Sequence, residues 1–204
     1  MGDYKTLPKD EVIQATAEAL TANGFSVTIV DNGSAAKEAA LSKIPKGAEV
    51  LTVTSQTVTD IGLTAAINES GNYDAVRPKL TAMMGDKTKL QEQRKLGAAP
   101  DFVVGSVHAL TQDGCVQITS ATGSQLGPYV YGAGHVIWVV GAQKIVANYD
   151  QAMDRLQTYT FPLEDARALK AYGGHSSINK ILRFNKEATP GRIDIIIIKE
   201  ALGF

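Results

Sequence analysis

The chain has 204 residues, 44% hydrophobic and 20% charged. That make-up suits an ordinary soluble globular protein, with one compact domain expected over residues 1–204. Its 20 basic and 21 acidic residues nearly cancel, and no block of one sign stands out, which argues against a nucleic-acid-binding face. A single cysteine, Cys115, excludes an internal disulfide framework and suits a reducing compartment. No apolar run is long enough for a signal peptide or a bilayer span, so a cytoplasmic protein without membrane contact is expected.

In chain order, "PKDEVIQATAEALTAN" (8–23) sets Val12, Ile13, Ala15, Ala19 and Leu20 at helical spacing and is stopped by Gly24. "FSVTIVD" (25–31) is rich in β-branched residues and reads as a strand. Asn32 is placed to cap a helix over "GSAAKEAALSKI", and "AEVLTVT" (48–54) follows as a second strand. The strand–helix–strand rhythm predicts a mostly parallel sheet flanked by helices, an α/β fold. Ser55 and Gln56 then fall at the carboxyl end of a strand, where open α/β sheets place their ligands. The segment 71–97 is helical but punctuated by Pro78 and Gly85, the pattern of a lid-like region.

The sheet resumes at "DFVVGS" (101–106). "VHALTQDGCVQITS" carries a hairpin signature, with Asp113-Gly114 as a two-residue turn. That register pairs Gln112 with Cys115, Leu110 with Gln117 and His108 with Thr119. "HVIWVVG" (135–141) is the continuous apolar run of a strand buried on both faces. "NYDQAMDRLQTYTF" continues as a helix that must break or kink at Pro162, and "LEDARALKAYG" carries it to Gly173. "NKILRFN" and "IDIIIIKE" are two further strands.

The common enzyme signatures are missing. The three histidines lie far apart with no cysteine or paired carboxylate nearby, so neither a metal site nor a cofactor is expected. There is no Walker lysine motif, no complete dinucleotide fingerprint and no G-x-S-x-G elbow. Loops at strand ends remain. In "SATGSQLGPYVYGAG" (120–134) the glycines allow close backbone approach, while Thr122, Gly123, Ser124 and Gln125 offer amides, hydroxyls and a carboxamide to an anion. A tight packed crossover explains the same glycines. Lys144, in "GAQK" after the buried strand, projects from the carboxyl edge to meet a phosphate or carboxylate, or is an ordinary solvated lysine. Glu164 pairs locally on a helix surface or moves protons, and Asp113 has a turn role beside any role as a general base.

Three segments together, "VHALTQDGCVQITSATGSQLGPYVYGAGHVIWVVGAQKIV", "PLEDARALKAYGGHSSINKIL" and "PGRIDIIIIKEALGF", resemble the LUD domain of the lactate-utilisation family, in its short stand-alone branch. The resemblance runs from about Thr6 to Phe204. It implies a fold similar to the ribose-phosphate isomerase, glucosamine-phosphate deaminase and CoA-transferase group, a mostly parallel sheet with a small side lobe. Such relatives bind phosphosugars, CoA esters or folates at loops on the carboxyl edge. Carried over, the site gathers Ser55, Gln56, the Asp113-Gly114 turn, Thr122, Gly123, Ser124, Gln125, and Gly141 to Lys144; Asp113 and Glu164 are the catalytic candidates from the residues themselves. Lactate-oxidising members of the family work beside iron–sulfur proteins, and one cysteine cannot hold such a cluster in this chain.

Two functional readings follow. One is a protein, with or without catalysis, that binds a small anionic metabolite and has a link to lactate utilisation. The other is a non-catalytic subunit or scaffold for a redox protein. Self-association fits relatives of this fold.

Overall fold

A computed structural model describes residues 4–204. Ten strands and eight α-helices occur among the described residues. The first half comprises α1 (Asp10–Ala22), β1 (Ser26–Val30), α2 (Gly33–Ser42), β2 (Glu49–Thr52), α3 (Gln56–Asp60), α4 (Leu63–Asn68), β3 (Asp74–Ala75), α5 (Val76–Ala82) and α6 (Leu90–Ala98). The second half comprises β4 (Phe102–Gly105), β5 (Ala109–Thr111), β6 (Val116–Ser120), β7 (His135–Gly141), β8 (Ile145–Val146), α7 (Tyr149–Arg155), α8 (Phe161–Tyr172), β9 (Lys180–Phe184) and β10 (Ile193–Ile198).

Six strands form a wholly parallel sheet in the order β1-β10-β7-β4-β2-β3. The two most apolar runs become its adjacent central strands, β7 and β10, because only positions covered on both faces can hide so many branched side chains. Alternate residues serve opposite layers. Trp138, Val140, Ile195 and Ile197 pack on one side with Ile13, Ala17 and Leu20 of α1. Val139, Ile196 and Ile198 pack on the other with Ala36 and Ala40 of α2 and with Leu63 and Ile67 of α4. The Asn32 side chain accepts a hydrogen bond from the Ala35 amide and caps α2, as the sequence predicts.

The remaining strands build a second sheet, β8-β5-β6-β9, which is the small side lobe. Leu110, Val116, Ile118 and Phe184 press it onto the α1 side of the large sheet. Its hairpin differs from the expected register. The Thr111 amide donates to the Cys115 carbonyl, and the Gly114 amide donates to the Thr111 carbonyl (2.8 Å), so Gln112 to Gly114 make a three-residue loop. Gly114 takes the left-handed conformation (φ +80°), the geometry of a turn closed by a glycine bulge rather than a two-residue turn. Ala109 therefore pairs with Gln117 and Leu110 with Val116. The slip of one residue moves Leu110 off the face of Gln117. Leu110 then enters the main core, while Gln117 donates to the Ala152 carbonyl of α7.

The break or kink expected at Pro162 lies just before it. After α7 the chain widens into a single π-type turn (156–160) and continues as α8, with Pro162 near its start. In the wide turn the Phe161 amide donates to the Leu156 carbonyl, and Pro162 falls in the first turn of α8, where no intrahelical amide bond is required of it. Among the described residues, no helix is long and apolar enough to cross a membrane.

Candidate functional site

A cleft of about 1020 Å³ opens along the carboxyl edge of β2, β4 and β7. Ser55 and Gln56 enter it after β2, Ser106 and His108 after β4, and Lys144 after β7. The end of β6 with its following loop, helices α5 and α6, and α8 complete the walls. A smaller hollow of about 520 Å³ on the outer side of α6 is lined by Glu49, Glu92 and Lys95.

Lys144 is the most constrained charged group in the cleft. It ends a short 3-10 turn (Ala142–Lys144) at the point where the chain leaves β7 of the large sheet for β8 of the small one. Only 3% of its surface is exposed. Its Nζ donates to Thr57 Oγ1 (2.9 Å) and Ser106 Oγ (3.2 Å). Thr57 gives its own hydroxyl hydrogen to the Leu202 carbonyl, so toward the amine it can only accept. Two acceptors leave one of the three ammonium hydrogens, or the lone pair of the neutral amine, for another partner. Burial pulls its pKa down to about 7, helped by the positive charge of Arg155 and opposed by Asp60.

His108 and Arg155 set the electrostatics behind this amine. His108 Nδ1 accepts from the Thr119 amide (3.1 Å), which places the ring proton of the neutral form on Nε2. Burial, then Lys144 and Arg155, drive its pKa to about 3, so the ring is neutral at ordinary pH. Arg155 donates to the His108 carbonyl and to Thr160 Oγ1, both at 2.7 Å, and lies 5.3 Å from the Tyr159 ring centre. Burial lowers its pKa to about 10.

Two further cations without an ion-pair partner among the described residues line the cleft. Arg77, on α5, donates from Nε to the Thr52 carbonyl at the end of β2 (2.8 Å), which fixes the guanidinium over the strand end. Arg94 of α6 joins it. Among the described residues, no carboxylate pairs with Lys144, Arg77 or Arg94. Glu164 is different. It grips Arg167 through two bonds of 2.7 Å and raises the Arg167 pKa, so its charge is neutralised within α8.

The loop after β6 lies in the cleft, with Thr122 and Ser124 exposed. Two of its amides, however, are bonded within the loop. The Gly123 amide donates to Ser120 Oγ (2.8 Å) and the Ser124 amide to Thr122 Oγ1 (3.3 Å). Ser120 donates in turn to Gln125 Oε1, and Gln125 Nε2 to the Thr119 carbonyl. These bonds occupy the Gly123 and Ser124 amides within the turn itself. Beyond it, residues 128–132 form a single wide turn whose carbonyls at Pro128 and Tyr129 accept from Arg192. Gly132 is the packed crossover: a Cβ there would stand 1.7 Å from the Ala98 carbonyl oxygen.

The expected site residues thus divide. Ser55, Gln56, Thr122, Gly123, Ser124, Gln125, Lys144 and Glu164 meet in the cleft. Asp113, Gly114 and Gly141 lie outside it. The Asp113 carboxylate binds the Thr111 hydroxyl and lies 3.6 Å from Arg183, while Asn23 donates to the carbonyls of Asp113 and Gly114. Gly141 is packed against the Gln143 side chain and the backbone of Glu200 and Leu202.

A family model for the LUD domain matches residues 13–198. The chain belongs to the LUD-domain family. A solved structure of a DUF162-family protein from Deinococcus radiodurans is similar in fold, with a TM-score of 0.58. The two share 12% sequence identity over 95% of this chain and 99% of that one. No curated protein matches the chain. The cleft of this LUD domain holds no group of three metal-ligating side chains among the described residues. Sequence reasoning missed Arg77, Ser106 and His108. Ser106 carries the same signal that singled out Ser55, a hydroxyl at the carboxyl end of a strand. Arg77 offered none, because α5 is brought to the cleft by packing against β2.

Proposed function

We propose that this LUD domain binds a small anionic metabolite in the cleft, with Lys144 and Arg77 as the principal contacts and the hydroxyls of Thr122 and Ser124 at its mouth. The observation that carries the reading is a surplus of unpaired positive charge. Lys144, Arg77 and Arg94 line one cleft with no carboxylate partner among the described residues, and the Glu164 charge is taken by Arg167. In a partly dehydrated cavity such groups favour an anion, because its charge replaces lost hydration. A third donor position on the Lys144 amine suits a carboxylate or phosphate oxygen.

The family supports a role related to lactate utilisation, and an organic acid, a phosphosugar or a CoA- or folate-like compound each carries the required charge. A thermal-shift panel of lactate, pyruvate, phosphosugars, CoA esters and folates at constant ionic strength tests the reading, on wild type, Lys144→Met and Arg77→Met. Stabilisation of wild type that both variants lose supports it. Equal shifts in all three proteins would remove these residues from the site.

A further inference from the structure

We infer that Lys144 is a covalent nucleophile, its amine condensing with the carbonyl carbon of an anionic aldehyde or ketone held in the cleft. This inference rests on the anion-binding reading above and names the substrate class for that same site.

The geometry is that of a presented amine. Lys144 emerges from a short turn between the two sheets and has little freedom to withdraw. Thr57, its hydroxyl hydrogen spent on the Leu202 carbonyl, must accept from the amine, and Ser106 takes a second amine hydrogen. In the neutral amine these two bonds use both hydrogens, so the lone pair is left for the cleft that Lys144 lines. Burial opposes protonation, and so does the charge of Arg155, which donates to the His108 carbonyl; Asp60 favours it, but no carboxylate of the described residues is paired with Arg155 or Lys144. A neutral lysine beside fixed positive charge is the arrangement that makes an amine nucleophilic. Arg77 supplies the charge that would hold the anionic end of the substrate.

The step balances without an oxidant or reductant. Nζ attacks the carbonyl carbon, the C=O π pair moves to oxygen, and the nitrogen gives up a proton that Ser106 Oγ can relay to that oxygen. The carbinolamine then loses its hydroxyl with the second amine proton, so a C=N bond forms and one water leaves. Capture of a solvent proton by the imine nitrogen makes an electron sink next to the substrate's carbon chain, able to assist proton removal or carbon–carbon cleavage.

The test is reductive trapping on the full chain. Wild type is incubated with pyruvate in one arm and glyceraldehyde 3-phosphate in the other, reduced with sodium borohydride, digested and mapped by mass spectrometry, with thermal shifts recorded for the same mixtures. The expected result is a reduced adduct confined to Lys144 in at least one arm, lost in Lys144→Met and diminished in Ser106→Ala. The arm that labels tells whether a carboxylate or a phosphate accompanies the carbonyl. Mapping in wild type alone decides the matter if a variant fails to fold. Thermal stabilisation without a trapped adduct overturns the inference and leaves the anion site standing. Adducts spread over surface lysines and retained in Lys144→Met also overturn it. No stabilisation and no adduct with either compound overturns both readings.

Discussion

The amine of Lys144 lies 3.2 Å from the hydroxyl of Ser106, although 38 residues separate them, and both line the cleft. That contact joins the ends of two neighbouring strands, β7 and β4, at the carboxyl edge of the sheet. It also buries an amine that forms no ion pair with a carboxylate of the described residues, which gives the first prediction.

Burial should make Lys144 a liability below its folded pKa. The unfolded amine binds its proton up to about pH 10.5, whereas the folded one releases it near 7. Between these values the unfolded chain holds more protons, so stability rises with pH, at up to about 1.4 kcal/mol per pH unit. Lys144→Met removes the group while roughly keeping its volume. Chemical denaturation from pH 6 to 9 should show the variant no less stable than wild type at pH 6, with the difference shrinking or reversing by pH 9. A parallel pH dependence in both proteins would show that the amine is solvated.

His108 works at lower pH. Its folded pKa of about 3 lies below the ordinary 6.5, so only the unfolded chain takes up its proton between those values. Its contribution to stability is complete above pH 6.5 and is lost as pH falls toward 3. His108→Gln should flatten the acid side of the stability profile relative to wild type, as read by thermal melts from pH 7 to 4. An unchanged acid slope would show that the folded chain protonates the ring as readily as the unfolded one.

Gly105 leaves room for two residues of the cleft wall, Tyr129 and Val53. A Cβ there would lie 1.9 Å from the Tyr129 hydroxyl and 2.3 Å from a Val53 methyl. Gly105→Ala should cost about 1–3 kcal/mol through overpacking. Adding Tyr129→Phe should recover part of that loss, because one of the two clashing groups is removed. Additive losses in the double variant would rule out the clash with Tyr129.

Asp113 belongs to the turn and not to the cleft. Its partners are Thr111 and Arg183, and the ion pair is largely exposed. Asp113→Ala should leave ligand-induced thermal shifts unchanged and cost no more than about 1 kcal/mol of stability. A lost ligand response would bring this turn back into the site.

Much of this was legible where one local rule decided the outcome. The Asn32 cap, the twice-buried run 135–141 and the strand-end positions of Ser55 and Lys144 all follow from period, capping and strand ends. The hairpin register was not legible, since Asp113-Gly114 suits either a two-residue turn or a three-residue loop with a glycine bulge, and packing of Leu110 into the core selects the latter. The placement of β10 between β1 and β7 is a long-range pairing that no local pattern encodes. Lys144 shows the same limit: its position was readable, but its burial depends on Thr57 and on the chain around Leu202, distant in sequence. Composition leaves the loop at 122–125 open between an anion site and a packed crossover, because it does not say that the Gly123 and Ser124 amides are spent on Ser120 and Thr122.

The most direct measurement of the central claim is the titration of the Lys144 amine by ¹⁵N NMR of lysine-labelled protein, alone and with saturating pyruvate or ribose 5-phosphate. The expected result is a resonance absent from Lys144→Met that titrates near pH 7 in the free protein, and whose pKa rises when an anion binds beside it. A Lys144 resonance that titrates near pH 10 and is unmoved by either compound would contradict an anion site built on this residue.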